Sequence, residues 1–375
     1  MAEQIMAKGL EGIVVSETAL GFIDGQQGRL VYRGFDIHDL AEHASFLETL
    51  YMLWHGELPD RARLEALERE LAGQRRLAPG VLEVLRGLPS DANPMTVLEA
   101  SVAAMGAFDE EAGDNSREAE LRKAGRITAK IPTVIAAFGR LRDGKEPVEP
   151  DPELRHAANF LYMLRGEKPK EVEAKALDTS LLLYLEHGFN ASTFTCRVIA
   201  STLADLHSAV VGGIAALKGE LHGGANEKAM RMLLEIGEVD RAEDWVDEAL
   251  VEHRKIMGFG HRVYRTEDPR ATHLRQMSED LSKALGDPKW HEIARKVEET
   301  MLDRKGIHCN VDFYCGIVYY TLGIPLDLDT PLFAAGRIGG WSAHVMEQHG
   351  DNRIIRPRAE YTASRDRRYV PIDER

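Results

Sequence analysis

Short apolar or aromatic runs, separated by turn-forming pairs, mark the first part of this 375-residue chain. The runs occupy residues 13–15, 21–23 and 30–32. The pairs Asp24-Gly25 and Gln27-Gly28 favour turns between them. We therefore predict a small β-structure between residues 12 and 37.

Farther along, apolar residues recur every three or four positions. Leu64, Leu67 and Leu71 share one helical face, and long Ala/Leu/Glu-rich stretches repeat this spacing. These stretches cover residues 40–140, 152–216, 226–257 and 270–304. Strands and helices do not alternate, so a parallel sheet is not expected. The pattern predicts an all-α protein, mainly helical, with a small N-terminal β-structure.

Breaks in the helical pattern suggest how the chain is organised. Residues 143–152 are polar and proline-rich, which is typical of a surface loop between helices. Two further breaks, at 218–224 and 323–325, enclose a candidate inserted domain. The segments that carry proton-transfer residues lie within that domain or at its edge, which favours a site in a cleft between domains.

Composition restricts the functional classes. A net charge of −14 argues against a nucleic-acid partner, which would require a basic face. No apolar stretch reaches the ~18 residues needed to span a bilayer, and the N-terminus lacks signal-peptide features, so we expect a cytoplasmic protein without a membrane partner. Three cysteines without a pairing pattern, Cys196, Cys309 and Cys315, indicate reduced thiols in the core or at an interface.

Three short segments each place one residue suited to proton transfer beside Gly, Asn or aromatic neighbours. They contain His222 before Gly-Gly, His261 after Gly-Phe-Gly, and Asp312 in Asn-Val-Asp-Phe. Two imidazoles and a carboxylate are the groups needed to remove a proton from carbon and to stabilise the enolate that results. Each histidine taken alone is also compatible with an ordinary loop residue.

Other catalytic classes fit the sequence poorly. The Gly258-Phe259-Gly260 loop lacks the third glycine and the preceding strand of a dinucleotide site, although its amides could meet a ligand. We predict no metal centre, because there is no His-Glu-x-x-His motif, and His344 and His349 do not share a helical face. Serine-hydrolase chemistry lacks its Gly-x-Ser-x-Gly turn.

Arginines are the candidate anion ligands. Arg270 follows Asp268-Pro269, where a helix should begin. Arg337 lies in an apolar, glycine-rich stretch, and a buried cation there needs an anionic partner. Arg356 lies in a basic segment that is equally typical of a surface turn.

Read together, the motifs resemble the citrate synthase family over essentially the whole chain. Five of them agree in order and spacing, and they are residues 186–193, the His222 motif, residues 258–270, residues 310–314 and residues 333–337. The resemblance implies a dimer of two-domain helical subunits with the active site in the cleft. Residues 1–222 and 326–375 would form the large domain, which carries the dimer contact and the oxaloacetate site. Residues 223–325 would form a mobile, CoA-binding small domain.

The resemblance also implies roles for individual residues. Asp312 would take a methyl proton from acetyl-CoA, His222 would stabilise the enol or enolate, and His261 would hydrogen-bond the ketone of oxaloacetate. The residues expected to bind oxaloacetate are His187, Asn190, Arg270, Arg337 and, from the partner subunit of a homodimer, Arg356. The CoA-binding residues would be Lys255, Ile256, Met257, Gly258, Phe259, Gly260, Lys305 and Asn310. No tightly bound cofactor is implied, because CoA enters as part of a substrate.

Three alternatives remain open at this stage. A 2-methylcitrate synthase would use propionyl-CoA with the same residues, and one methyl group changes binding by only ~1–3 kcal/mol. A non-catalytic helical interaction protein could retain the fold. A nucleotide-dependent dehydrogenase is the most distant alternative.

Overall fold

Residues 7–375 are described by the computed structural model, and they form a mainly helical protein with one small sheet. The strands are β1 (Gly21–Asp24), β2 (Arg29–Tyr32) and β3 (Phe35–Asp36), which pair antiparallel in the order β1-β2-β3. The first eight helices are α1 (Ile37–His43), α2 (Phe46–His55), α3 (Arg61–Gln74), α4 (Pro79–Gly87), α5 (Pro94–Ala107), α6 (Arg117–Leu141), α7 (His156–Arg165) and α8 (Glu171–Tyr184). The next eight are α9 (Ala191–Ala200), α10 (Leu206–Leu217), α11 (Ala225–Ile236), α12 (Ala242–Val251), α13 (Pro269–Leu285), α14 (Lys289–Lys305), α15 (Val311–Thr321) and α16 (Asp329–Gly350).

The sheet confirms most of the predicted β-structure. In β1 and β2, Gly21 pairs with Tyr32 and Asp24 with Arg29, so the predicted turn pairs lie in the connection between these strands. The strand predicted at residues 13–15 is wrong. That segment has no regular secondary structure, no strand of the described residues pairs with it, and Val14 is 89% exposed.

Helix boundaries follow the local chemistry of the sequence. Pro94 and Pro269 occupy the first helical position of α5 and α13, where a missing N–H costs nothing. Pro132 behaves differently, because α6 continues through it in a buried position. The predicted surface loop at 143–152 does separate α6 from α7. Among the described residues, no helix combines the length and apolarity that crossing a membrane would require.

Helix α16 lies at the centre of the core and positions one candidate ligand. It packs against α2, α6, α8, α9 and α10, and nearly all of its side chains are buried. A Cβ atom at Gly340 would lie 2.0 Å from the carbonyl oxygen of Leu185, so only glycine permits this approach to the end of α8. The close contact brings Arg337 of α16 against the last residue of α8, Tyr184.

Candidate active site

His222 is held by the first turn of α9. Asn190 caps this helix, since its Oδ1 accepts a hydrogen bond from the Thr193 backbone N–H at 3.0 Å. The Ser192 backbone N–H then donates to His222 Nε2 at 3.3 Å, and Ser192 Oγ lies 2.8 Å from the same nitrogen. A backbone N–H can only donate, so we assign Nε2 as the acceptor and place the proton of the neutral ring on Nδ1. Burial, followed by the charge of Arg337, lowers the pKa of His222 to about 4.

His261 is fixed in the opposite tautomer by its own loop. The backbone N–H groups of Val263 and Tyr264 both donate to His261 Nδ1, at 3.0 and 3.1 Å. Nε2 therefore carries the proton and is free to donate it to a ligand. Burial, followed by the positive charge of Arg270, lowers the pKa of His261 to about 4.

The β1–β2 turn supports the His261 loop from outside. The Arg265 backbone N–H donates to the Gly25 carbonyl oxygen at 2.8 Å. A Cβ atom at Gly25 would lie 2.2 Å from the Val263 carbonyl oxygen, so the two loops touch backbone to backbone. The predicted N-terminal β-structure thus forms part of the wall behind a candidate catalytic residue.

A third neutral imidazole lies beside His261. The His187 ring meets the His261 ring edge-on at a centroid distance of 5.4 Å, and its Nε2 lies 3.1 Å from the hydroxyl oxygen of Tyr264. Burial, and then the charges of Arg270 and Arg337, lower the pKa of His187 well below its ordinary value. All three histidines are therefore uncharged donors at neutral pH, which keeps the positive charge of the site on the arginines.

Asp312 lies in the first turn of α15 and has an unusually basic carboxylate. Asn310 caps the helix, with its Oδ1 accepting from the Asp312 backbone N–H at 3.0 Å, and the Tyr184 hydroxyl donates to Asp312 Oδ1 at 3.3 Å. Burial raises the pKa of Asp312 to about 6, although nearby Arg270 opposes the rise. At neutral pH the group is mostly ionised, and it is a stronger base than an exposed aspartate.

The two buried arginines differ in how well they are paired. Arg270 forms a bidentate ion pair with Asp268, with Nε–Oδ1 at 2.9 Å and Nη2–Oδ2 at 2.7 Å. Burial works against the charge of Arg270, but Asp268 more than offsets this and raises its pKa. Asp268 Oδ2 also accepts from the Val311 backbone N–H at 3.3 Å, which joins Arg270 to the start of α15.

Among residues 7–375, no carboxylate is hydrogen-bonded to the buried cation of Arg337. Its Nε donates to the Tyr184 carbonyl oxygen at 2.5 Å, its guanidinium lies 4.8 Å from the Phe333 ring centre, and its buried Nη1 has no hydrogen-bond partner in this part of the chain. Burial lowers the pKa of Arg337 to about 10, and the charge of nearby Glu186 partly counters this. An unpartnered buried donor on a cation is costly, so this position favours an anionic ligand.

The predicted CoA-binding loop is attached to the segment that precedes Asp312. Gly260 N donates to the His308 carbonyl oxygen at 3.0 Å, and Asn310 N donates to the Gly258 carbonyl oxygen at 2.9 Å. Asn310 Nδ2 adds a bond to the Gly260 carbonyl oxygen at 2.9 Å, and the rings of Phe259 and Phe313 lie 4.7 Å apart. Residues 258–260 and Asp312 therefore share one framework.

The remaining predicted ligands lie at the surface of this chain or away from the group just described. Lys255 and Lys305 are exposed at either end of the loop framework, whereas Ile256 is buried and Met257 is partly buried. Arg356 is exposed in the C-terminal segment, which contains no regular helix until residue 372. Within the described chain Arg356 is not part of the site, so its predicted role across a dimer contact stays a prediction.

Several residues of the site were not singled out from the sequence. Tyr184, Tyr264 and Asp268 contact Asp312, His187 and Arg270 respectively. Buried Glu186 accepts from the Gly188 N–H at 2.6 Å and lies 2.9 Å from His344 Nε2. Asp268 carried a detectable signal, the cap position before Pro269, whereas the others are recognisable only once the helices have been packed together.

The helical fold and this constellation define a class of enzyme. The site combines a carboxylate of raised pKa, neutral imidazoles with assigned tautomers, and buried arginines. This combination suits the removal of a proton from carbon next to an anionic substrate. A family model described as "Citrate synthase, C-terminal domain" matches residues 9–358. The chain belongs to the citrate synthase family, as predicted from its motifs, and is therefore an enzyme of the acyl-transferring, condensing type.

Known relatives cover the full length of the chain. The citrate synthase of Haloferax volcanii is 52% identical over 99% of this chain and 99% of the relative. A 2-methylcitrate synthase of Shewanella oneidensis is 40% identical over 100% of this chain and 99% of the relative. A ternary complex of the Thermoplasma acidophilum citrate synthase with carboxymethyl coenzyme A and oxaloacetate matches with a TM-score of 0.93 and 34% identity, covering all of both chains.

Proposed function

We propose that this enzyme condenses acetyl-CoA with oxaloacetate and hydrolyses the resulting citryl-CoA to citrate and CoA. The main support for the proposal is the combination of basic Asp312 with two neutral histidines, His222 and His261. The two rings carry their free N–H group on different nitrogens. His222 offers Nδ1–H and His261 offers Nε2–H, so each can serve one of two carbonyl substrates. Unpaired Arg337 adds a reason for one substrate to be anionic.

In the first step Asp312 removes a proton from the methyl group of acetyl-CoA. The electron pair of the C–H bond moves into a carbon–carbon double bond, and negative charge develops on the thioester oxygen. His222 Nδ1–H donates to that oxygen, and a donor of this kind typically contributes ~3–4 kcal/mol to the stability of the transition state. A positioned general base contributes roughly 10²–10⁴-fold in addition.

In the second step the carbon of this enolate attacks the ketone carbon of oxaloacetate. The ketone oxygen gains the electron pair of its π bond and receives a proton from His261 Nε2–H. The methyl proton held by Asp312 then restores neutral His261, so Asp312 is again a carboxylate and the proton count is unchanged. Arg270, Arg337 and His187 hold the two carboxylates, because planar guanidinium groups orient a carboxylate as well as neutralise it. Water then cleaves the thioester of citryl-CoA and releases CoA.

Further parts of the proposal concern the assembly. CoA binds along residues 255–260 with Lys305 and Asn310, and no tightly bound cofactor takes part. Residues 223–325 form the mobile small domain, and closing it over the substrates excludes water during condensation. The enzyme is a cytoplasmic homodimer in which Arg356 reaches the partner's oxaloacetate site. Asn190 acts chiefly through the position of α9, because its Oδ1 caps that helix.

Propionyl-CoA is the alternative acyl substrate, since a 2-methylcitrate synthase is among the full-length relatives. Initial rates of free-thiol release with oxaloacetate should be compared for acetyl-CoA and propionyl-CoA. We expect higher kcat/KM for acetyl-CoA, in keeping with the greater identity to a citrate synthase. A clear preference for propionyl-CoA would replace citrate with 2-methylcitrate as the product.

The catalytic assignment is tested by the same thiol assay. Asp312→Ala should lose activity by roughly 10²–10⁴-fold, the usual contribution of a general base. Asp287→Ala is the matched control, because Asp287 is an exposed aspartate outside the site. Equal activity of Asp312→Ala and the parent enzyme would disprove the assignment of Asp312 as the base.

A further inference from the structure

Two histidines far apart in the sequence meet at the surface, away from the candidate active site. His38 lies in the first turn of α1, and His273 is the fifth residue of α13. His38 Nδ1 lies 2.8 Å from His273 Nε2, and the ring centroids are 4.9 Å apart. One of these nitrogens donates a hydrogen bond to the other, so the two face each other between the helices, and a metal ion would take the place of the shared proton.

We propose that His38 and His273 bind a divalent transition-metal ion of the Zn²⁺ class. Imidazole nitrogen is a preferred ligand of such ions, with Zn–N distances of about 2.0–2.1 Å. Two nitrogens on a tetrahedral ion lie about 3.3 Å apart at those bond lengths. The observed 2.8 Å needs to widen by about half an ångström, which small rotations of exposed His38 and partly buried His273 can supply.

The surroundings favour a cation at this point. Glu42 follows His38 by four residues, so its negative charge lies on the same face of α1, but no carboxylate oxygen of the described residues lies within 4.8 Å of both facing ring nitrogens. Asp36 lies beside the pair and caps α1 by accepting from the His38 backbone N–H at 3.0 Å. Solvent supplies the remaining ligands.

Another group of ligand atoms, formed by Glu267, Glu298 and Cys309, is less suited to an ion. Arg275 already forms ion pairs with both carboxylates, so its guanidinium occupies the place of a cation. The Tyr314 hydroxyl also donates to Glu298 at 2.6 Å. Cys309 therefore offers a comparison for the histidine pair in measurements of metal binding.

Occupancy of the histidine site would connect two parts of the enzyme. Helix α13 begins with Pro269 and Arg270, so His273 lies three residues beyond a proposed oxaloacetate ligand. If residues 223–325 move as the small domain, α1 and α13 belong to different domains. A bound ion then restrains their relative movement, and this consequence, unlike the site itself, rests on the proposed domain division.

The test is a calorimetric titration of the purified, metal-free enzyme with ZnCl₂. We expect one Zn²⁺ per chain with a dissociation constant in the micromolar range. Loss of one of so few protein ligands should weaken binding by about 100-fold or more, since even supporting residues contribute about 10–100-fold. His38→Gln and His273→Gln should therefore both show this loss.

Matched controls separate this site from others. His43→Gln changes an exposed histidine at the end of the same helix and should bind Zn²⁺ like the parent enzyme. Unchanged circular dichroism and unchanged thiol release in the absence of metal establish that His38→Gln and His273→Gln are folded. Parent-like Zn²⁺ binding by either of these variants would overturn the proposal. Loss of binding in Cys309→Ser but not in His38→Gln would overturn it as well, by assigning the ion to the second group.

Discussion

Replacing Asp312 with Asn should stabilise the ligand-free enzyme while it abolishes activity. The carboxylate has a pKa of about 6 in the folded protein, compared with an ordinary value of 3.8. Between these two values the folded state retains a proton that the unfolded state has lost. The free energy of unfolding therefore falls as pH rises from about 4 to about 6. At every higher pH the ionised carboxylate keeps it lower by a constant amount. Asparagine has no such cost, and its Oδ1 can still accept from Tyr184.

The size of the effect follows from the two pKa values. A difference of about two pH units, at about 1.4 kcal/mol per unit, gives an upper bound of about 3 kcal/mol above pH 7. At pH 5 only about half of this cost is present, because most of the folded protein is still protonated there. With an unfolding entropy of about 2.1 cal/mol/K per residue, 3 kcal/mol corresponds to a Tm increase of about 4 °C for a chain of this length.

Thermal unfolding followed by circular dichroism at pH 5 and pH 8 would measure this. The Tm difference between Asp312→Asn and the parent enzyme should be about 2 °C at pH 5 and about 4 °C at pH 8, while thiol release falls at least ~100-fold. Asp287→Asn, at an exposed position, should show neither change. A Tm difference that is the same at both pH values, or a variant that is less stable at pH 8, would refute the idea that desolvation of Asp312 is a cost of the site.

Three other substitutions test separate contacts. Tyr184→Phe removes the hydroxyl that stabilises ionised Asp312, so the acidic limb of the pH profile of kcat/KM should move from about pH 6 to higher pH by roughly 0.5–1 unit. Initial rates measured across pH test this, and an unmoved acidic limb would contradict it. Arg337→Met should raise KM for oxaloacetate by about 100-fold through loss of charge-assisted bonds, and an unchanged KM in initial-rate measurements at varied oxaloacetate would contradict this. Ser192→Ala leaves the backbone N–H of residue 192 as the hydrogen bond that positions His222, so kcat should fall about 10-fold at unchanged KM for oxaloacetate. A higher KM with unchanged kcat would instead assign Ser192 to substrate binding.

The sequence predicted the fold where local chemistry determines it. Helix starts at Pro94 and Pro269 follow from proline's fixed φ, and the β1–β2 turn follows from its Asp-Gly and Gln-Gly pairs. The segment at 13–15 failed because β-propensity does not specify a partner strand, and none pairs with it in the described structure. Pro132 shows the reverse case, in which burial within α6 outweighs the lost hydrogen bond.

The sequence indicated which residues form the candidate site. It did not indicate the histidine tautomers or the protonation state of Asp312. The motifs indicated His222, His261 and Asp312, yet the tautomer of each ring depends on neighbouring N–H groups, and the pKa of Asp312 depends on tertiary burial. Arg337 was expected to need an anion, and the packed structure leaves one of its nitrogens unpaired. The His38–His273 pair, 235 residues apart, has no local sequence signal at all.

The contact between the β1–β2 turn and the His261 loop has a practical consequence for protein engineering. Gly25 is at the tip of a hairpin, the kind of position usually chosen for an epitope tag, a fluorophore or an inserted peptide. Here the turn is pressed against the Val263 carbonyl, so an insertion displaces the two amides that hold the ring of His261. Tags are better placed at residues 143–152, where the loop between α6 and α7 is remote in sequence from every catalytic segment.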